Sequence, residues 1–198
     1  MISNRTLGVL ISGRGSNLKA IIDAIDRKTL DATIAIVISN VADAPGLDHA
    51  KQAGIETLVL SHKDFASREQ YDRALVVELK KRNVALVCLA GFMRLLSPYF
   101  VDAYPERILN IHPSLLPKYP GLHPQQQALD DRATESGATV HFVNKDLDAG
   151  PIILQQSVPV LAGDTAVTLA ERILTAEHQL YPRAIDKALA KLGAGREI

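Results

Sequence analysis

The sequence predicts one α/β domain whose doubly wound, mixed sheet is parallel through the N-terminal half and gains an antiparallel C-terminal extension. Three observations predict it. Through the first half, short apolar runs rich in β-branched residues alternate with segments of helical period, which is how βαβ units around a buried parallel sheet are written. The 198 residues are little more than one ordinary domain and contain no linker or repeat, so 1–198 reads as a single Rossmann-like unit. Hydrophobic residues at 47% and charged residues at 22% are ordinary globular usage, which excludes disorder and coiled coil.

Leu7 to Ile11 is the first strand, and Gly13-Arg14-Gly15-Ser16-Asn17 turns it into a helix carrying Leu18, Ile21, Ile22 and Ile25 at helical spacing. Ala32 to Ser39 follows as a strand, Asp43 to Ala53 as a helix ended by Gly54, and Glu56 to Leu60 as a third strand. Ser67 and Gln70 form a capping box, and Tyr71, Leu75, Val76 and Leu79 share one face of a helix running to about Arg82. Val84 to Leu89 and Arg107 to Ile111 read as further strands. Pro113 to Pro124, with four prolines, is a stiff irregular loop. Ala138 to Val143 and Ile152 to Val160 are strands of antiparallel character, and Thr165 to Tyr181 is a long helix stopped by Pro182.

Twenty-two basic and twenty-two acidic residues cancel, leaving no global field to hold nucleic acid or an anionic membrane. The single cysteine, Cys88, excludes a disulfide framework and fits a reducing cytoplasm. Met1 to Asn4 lacks the charged-then-apolar pattern of a signal peptide, and no run approaches the roughly 18 apolar residues of a membrane span. The expectation is a soluble cytoplasmic protein, with homodimer formation left open. His49, His62, His123, His141 and His178 show no metal-ligand spacing, so no metal is assigned.

Three groups of residues carry chemistry. The Gly-rich turn offers Gly15, Ser16 and Asn17 to an anion at a helix N-terminus. Leu18 stands where a dinucleotide fingerprint needs a small residue, and Val37-Ile38-Ser39-Asn40 lacks the acidic ribose ligand, which disfavours NAD. A plain β-to-α turn capped by Ser16 and Asn17 is the structural alternative. Asn110 and His112, two apart on a strand, project to the same side while Ile111 packs into the core. A carboxamide and an imidazole there supply an oxyanion donor and a proton carrier, the needs of acyl transfer. Asp148, in the turn Asp146-Leu147-Asp148-Ala149-Gly150-Pro151, becomes chemical only if it reaches His112. Glu177 and His178, on the C-terminal helix, read otherwise as a solvated face.

The strings Ile11-Ser12-Gly13-Arg14-Gly15-Ser16-Asn17-Leu18, Gly91-Phe92-Met93-Arg94, Asn110-Ile111-His112-Pro113-Ser114-Leu115-Leu116-Pro117 and Leu147-Asp148-Ala149-Gly150-Pro151 together resemble the phosphoribosylglycinamide formyltransferases. The likeness is colinear from about residue 7 to 185. It implies transfer of a formyl group from the cosubstrate 10-formyltetrahydrofolate to glycinamide ribonucleotide, with Asn110, His112 and Asp148 catalytic and no metal. It assigns Gly15, Ser16, Asn17, Arg68, Met93, Pro113 and Glu177 to the ribonucleotide. Met93, Arg94, Leu95, Leu96, Val143, Asn144, Asp146, Leu147 and Asp148 are assigned to the folate, and a cis Leu116–Pro117 bond is implied. The sequence departs from the family pattern at His123-Pro124-Gln125-Gln126-Gln127 and at Leu174, where a polar substrate contact is often found. Alternatives are a formyltetrahydrofolate hydrolase, a tRNA formyltransferase, or a phosphometabolite-binding module in which His112 only packs.

Overall fold

Strand β1 (Thr6–Ile11) is the middle of the molecule because its side chains are apolar on both faces: Leu7, Val9, Leu10 and Ile11 are all fully buried. In this computed structural model, which describes residues 4–194, a seven-stranded sheet runs β3-β2-β1-β4-β5-β6-β7. The strands are β2 (Thr33–Ser39), β3 (Thr57–Val59), β4 (Leu86–Leu89), β5 (Ile108–His112), β6 (Glu135–Phe142) and β7 (Ile152–Pro159). Strands β1 to β5 pair in parallel, and β6 and β7 add antiparallel. The predicted fold class and strand order are therefore observed, with boundaries shifted by a few residues. The N-terminal reading of residues 1–3 lies outside the described residues, as do residues 195–198.

Strands are added outward from β1 first toward β3 and then, from β4, toward the other edge, and right-handed crossovers therefore place helices on opposite faces. Helices α1 (Ser16–Asp26) and α2 (Gly46–Gln52) pack with α5 (Pro124–Asp130) and α6 (Ala166–Ala194) on one face, through Leu18, Leu47, Ala128 and Ile173. Helices α3 (Arg68–Lys81) and α4 (Pro98–Ala103) bury Tyr71, Leu75, Leu79 and Phe100 on the other. The predicted cap is present, Ser67 Oγ accepting the Gln70 N–H at 3.2 Å.

Three departures from the sequence reading have physical causes. Helix α2 begins at Gly46 rather than Asp43 because Pro45 occupies its N-cap. Helices α4 and α5 went unread, being six and seven residues long, too short to show a periodic stripe; Pro98 and Pro124 at their starts were the available signal. Helix α6 does not stop at Pro182 but continues to Ala194. A proline inside a helix costs about 3 kcal/mol, and the next turns offset it by burying Ile185, Ala188 and Leu189, each apolar side chain contributing up to about 1.5–3 kcal/mol. Just before the proline, the buried Tyr181 hydroxyl donates to the carbonyls of Leu89 (2.9 Å) and Leu109 (3.2 Å), fastening α6 to the end of β4 and the start of β5. No helix among the described residues is long and apolar enough to cross a membrane.

Candidate active site

Strand β5 ends in Asn110, Ile111 and His112, and its partner decides what those side chains meet. In the antiparallel pairing, Asn110 lies opposite His141 and His112 opposite Thr139. Opposed residues share a face, so Asn110, His112 and His141 stand together. His141 is a residue the sequence reading missed, having considered it only as a metal ligand. Its Nδ1 lies 2.9 Å from the Phe142 carbonyl, which only accepts, so Nδ1 carries the proton and Nε2 is left to accept the Asn110 carboxamide N–H at 3.4 Å. Burial holds the His141 pKa below its usual value, against the opposing pull of the Phe142 carbonyl and Asp148. The ring is thus a neutral acceptor that orients Asn110.

The loop between β6 and β7 folds back over this face and delivers Asp148. That residue takes a left-handed backbone (φ 50°) and a side chain only 8% exposed. Its Oδ2 accepts the Gly121 N–H at 2.9 Å and lies 3.4 Å from His112 Nδ1, while Oδ1 lies 3.7 Å from His141 Nε2. His112 Nε2 donates to the Tyr119 carbonyl at 2.9 Å. A carbonyl on one ring nitrogen and a carboxylate beside the other fix the orientation of the His112 ring. The proline loop that supplies Tyr119 and Gly121 is pinned from beneath: Thr139 Oγ1 donates to the Ser114 carbonyl and accepts the Leu116 N–H, and Gln155 holds the Leu116 carbonyl. The Leu116–Pro117 bond is cis.

The other face of the same strand end opens on a cleft of about 770 Å³ between the β1–α1 turn and α6. Ile111 and Pro113 contribute to its lining, whereas Asn110 and His112 turn to the opposite side. Ile111 packs in the core beneath α1 and α6, as expected, and its remaining surface lines the cleft.

Gly15 is the N-cap of α1 in a left-handed conformation (φ 72°), and no side chain caps the helix. Ser16 and Asn17 are its first residues and not caps, which corrects the structural alternative for this turn and leaves the first-turn N–H groups facing the cleft. Gly15 itself has a packing reason: a Cβ there would stand 2.5 Å from the Gly46 Cα, so a larger residue would disturb α2 before any ligand met it. Across the cleft, Glu177 is buried, 6% exposed, and accepts the Asn17 Nδ2–H at 2.7 Å. It is not on a solvated face, because it shares the inward stripe of α6 with Ile173 and Leu180. Asn17 Oδ1 is buried without a partner among the described residues. Burial pushes the Glu177 carboxyl above its usual pKa, opposed by the Asn17 hydrogen bond.

Met93, Pro113, Gln125 and Leu174 also line this cleft, so the departures at Gln125 and Leu174 fall on its walls. Arg68 does not line it. As the first residue of α3 it belongs to the opposite face, where with Arg94 it lowers the pKa of the buried Asp72 against the dominant effect of burial. Val143 and Leu96 pack against the α3/α4 core, while Met93, Leu95 and Leu147 are 73%, 59% and 58% exposed. Asn144 accepts the Asp146 N–H within its own loop.

The Formyl transferase family profile matches residues 5–185. The phosphoribosylglycinamide formyltransferase of Escherichia coli (strain K12) is 55% identical over 177 residues, 89% of this chain and 84% of that protein. The trifunctional purine biosynthetic protein adenosine-3 of Drosophila pseudoobscura pseudoobscura is 53% identical over 98% of this chain, which spans only 14% of that protein's length. Among solved structures, glycinamide ribonucleotide transformylase 1 from Symbiobacterium toebii superposes with a TM-score of 0.92 at 49% identity, covering 94% of this chain and 88% of that one. Phosphoribosylglycinamide formyltransferase from Brucella melitensis gives 0.90 at 50% identity, covering 94% and 96%.

Proposed function

The chain belongs to the formyl transferase family, and from that premise we propose that it transfers a formyl group from 10-formyltetrahydrofolate to the amine of glycinamide ribonucleotide, a step of purine biosynthesis in the cytoplasm. The observation that carries the reading is the end of β5, which presents Asn110 and His112 on one face and a ribonucleotide-sized cleft on the other. The two substrates then approach one strand end from its two sides. The ribonucleotide lies in the cleft, its phosphate at Gly15, Ser16 and Asn17, its hydroxyl groups toward Glu177 and the unpartnered Asn17 Oδ1, with Met93 and Pro113 at the inner end. The folate lies over the other face between residues 93–96 and 143–148, where exposed Met93, Leu95 and Leu147 offer apolar surface and Arg94, Leu96, Val143, Asn144 and Asp146 complete the walls.

The amine nitrogen attacks the formyl carbon, and the carbonyl oxygen takes up the negative charge of a tetrahedral intermediate. Asn110 donates the N–H that His141 does not hold, and the His112 Nε2–H donates to the same oxyanion by exchanging the Tyr119 carbonyl for it. Asp148 takes the proton released by the amine, directly or through water, and passes it to the folate nitrogen, which leaves as an amine when the formyl carbon–nitrogen bond breaks, so the carboxylate is restored. No covalent enzyme intermediate is needed.

The test is to incubate the protein with 10-formyltetrahydrofolate and glycinamide ribonucleotide and follow both products. One formylated ribonucleotide per tetrahydrofolate is the expected result. Free formate released without the acceptor would make the protein a hydrolase, and binding without turnover would make it a binding module.

Glu177 yields a separate prediction with a definite sign. Its folded pKa lies above the ordinary carboxylate value, so the unfolded chain releases this proton first and stability is lost as pH rises through the folded pKa. Glu177→Gln, whose carbonyl still accepts from Asn17, is expected to melt higher than the parent, by a margin that is larger at pH 8 than at pH 5. The same variant should bind the ribonucleotide roughly tenfold or more weakly through loss of a charged acceptor. Melting curves at both pH values and a KM for the ribonucleotide check the pair; a gap that narrows with rising pH would contradict it.

A further inference from the structure

Among the residues lining the cleft, Arg14 is the only lysine or arginine, whereas two carboxylates, Glu171 and Glu177, face the same space. A phosphate monoester placed at the turn meets those acids, and backbone N–H groups supply only partial charge against them. The opposite wall provides no cation either: α6 presents Val167, Ala170 and Leu174 there, and Leu174 is apolar where the family resemblance leads one to expect a polar contact. Arg14 is exposed and sits between Gly13 and Gly15, one residue ahead of the α1 N-cap, which no side chain satisfies. Unlike Arg5, Arg27, Arg73, Arg82 and Arg172, it makes no ion pair among the described residues. A guanidinium left unpaired beside open N–H groups has the bidentate geometry for phosphate oxygens.

We propose that Arg14 is the phosphate-recognising residue of this chain and sets its preference for phosphorylated over unphosphorylated acceptors, the charge entering from the β1–α1 turn instead of from α6. This rests on the reading of the cleft as the acceptor site. Being outside the face that holds Asn110, His112 and Asp148, Arg14 acts on binding of the acceptor and not on the transfer step.

Steady-state kinetics of Arg14→Gln and Arg14→Lys, with glycinamide ribonucleotide and with its dephosphorylated nucleoside as acceptors, test it. Arg14→Gln is expected to raise KM for the ribonucleotide roughly tenfold or more, as loss of a charge-assisted hydrogen-bond pair does, to leave the weak use of the nucleoside where it was, and to be partly rescued by Arg14→Lys. Equal losses with both acceptors, or no loss with either, would overturn the assignment. Titration with inorganic phosphate alone reads the same charge without turnover. Weaker phosphate binding by Arg14→Gln, in a protein inactive toward the ribonucleotide, would keep the Arg14 assignment and overturn the proposed reaction; unchanged phosphate binding in an active enzyme would overturn Arg14 alone.

Discussion

Asp148→Asn is expected to lower kcat by about a hundredfold or more, the usual scale for removing a proton-transfer group, while the melting temperature moves little. The substitution is nearly isosteric and its carbonyl still accepts the Gly121 N–H, so the loop keeps its anchor. What it removes is the negative charge 3.4 Å from His112 Nδ1 and 3.7 Å from His141 Nε2. Without that charge His112 loses its anionic neighbour, and the attacking amine loses its proton acceptor. His112→Ala and Asn110→Ala should each cost a comparable factor, since the removal of an oxyanion donor costs about a hundred- to a thousandfold. Because His112 and Asp148 serve one charge and one proton route, the double variant should lose less than the product of the two single losses. Turnover and melting temperature are to be measured on the same samples. Near-native turnover per folded molecule in either single variant would remove the mechanism and leave His112 a packing residue.

How far the site could be read from sequence follows from which contacts are local. The same-side placement of Asn110 and His112 needs only the period of a strand, and the Ser67 cap only a three-residue spacing; both are present in the structure. The neighbourhood of His141 depends instead on the β5–β6 register, which no local pattern specifies, so its hold on Asn110 was hidden. Glu177 is a different case. It follows Ile173 by four residues and precedes Leu180 by three, and that spacing on one stripe of α6 would have marked it as buried rather than solvated. Topology sets the place of Arg68: α3 returns the chain from β3 to β4 across the sheet face opposite α1 and α6, so the start of α3 stands near Arg94 and Asp72 and not on the cleft wall. Pro182 misled because the local cost of a proline is outweighed by tertiary burial beyond it.

Gly150→Ala is expected to be the most damaging single-methyl change near the site, for a reason the motif alone does not reveal. A Cβ on Gly150 would stand 1.7 Å from the Phe142 carbonyl oxygen and 2.8 Å from its carbon, and since both are backbone atoms no rotamer relieves the clash. Gly150 closes the loop between β6 and β7, whose ends are tied by the Phe142 N–H donating to the Pro151 carbonyl at 2.9 Å. The backbone must therefore give way next to Asp148. Overpacking of this kind costs roughly 1–3 kcal/mol or more, and in a domain of this size each kcal/mol lowers the melting temperature by about 2–4 °C. Turnover should fall in the molecules that remain folded, because a displacement near 1 Å of a positioned group costs about a hundredfold. The expected signature is thus a lowered melting temperature together with a kcat per folded molecule approaching that of Asp148→Asn. A variant that melts lower yet turns over normally would show that Asp148 is held by its Gly121 contact and not by the closure of its own loop, and an unchanged melting temperature would contradict the close approach of Gly150 to Phe142.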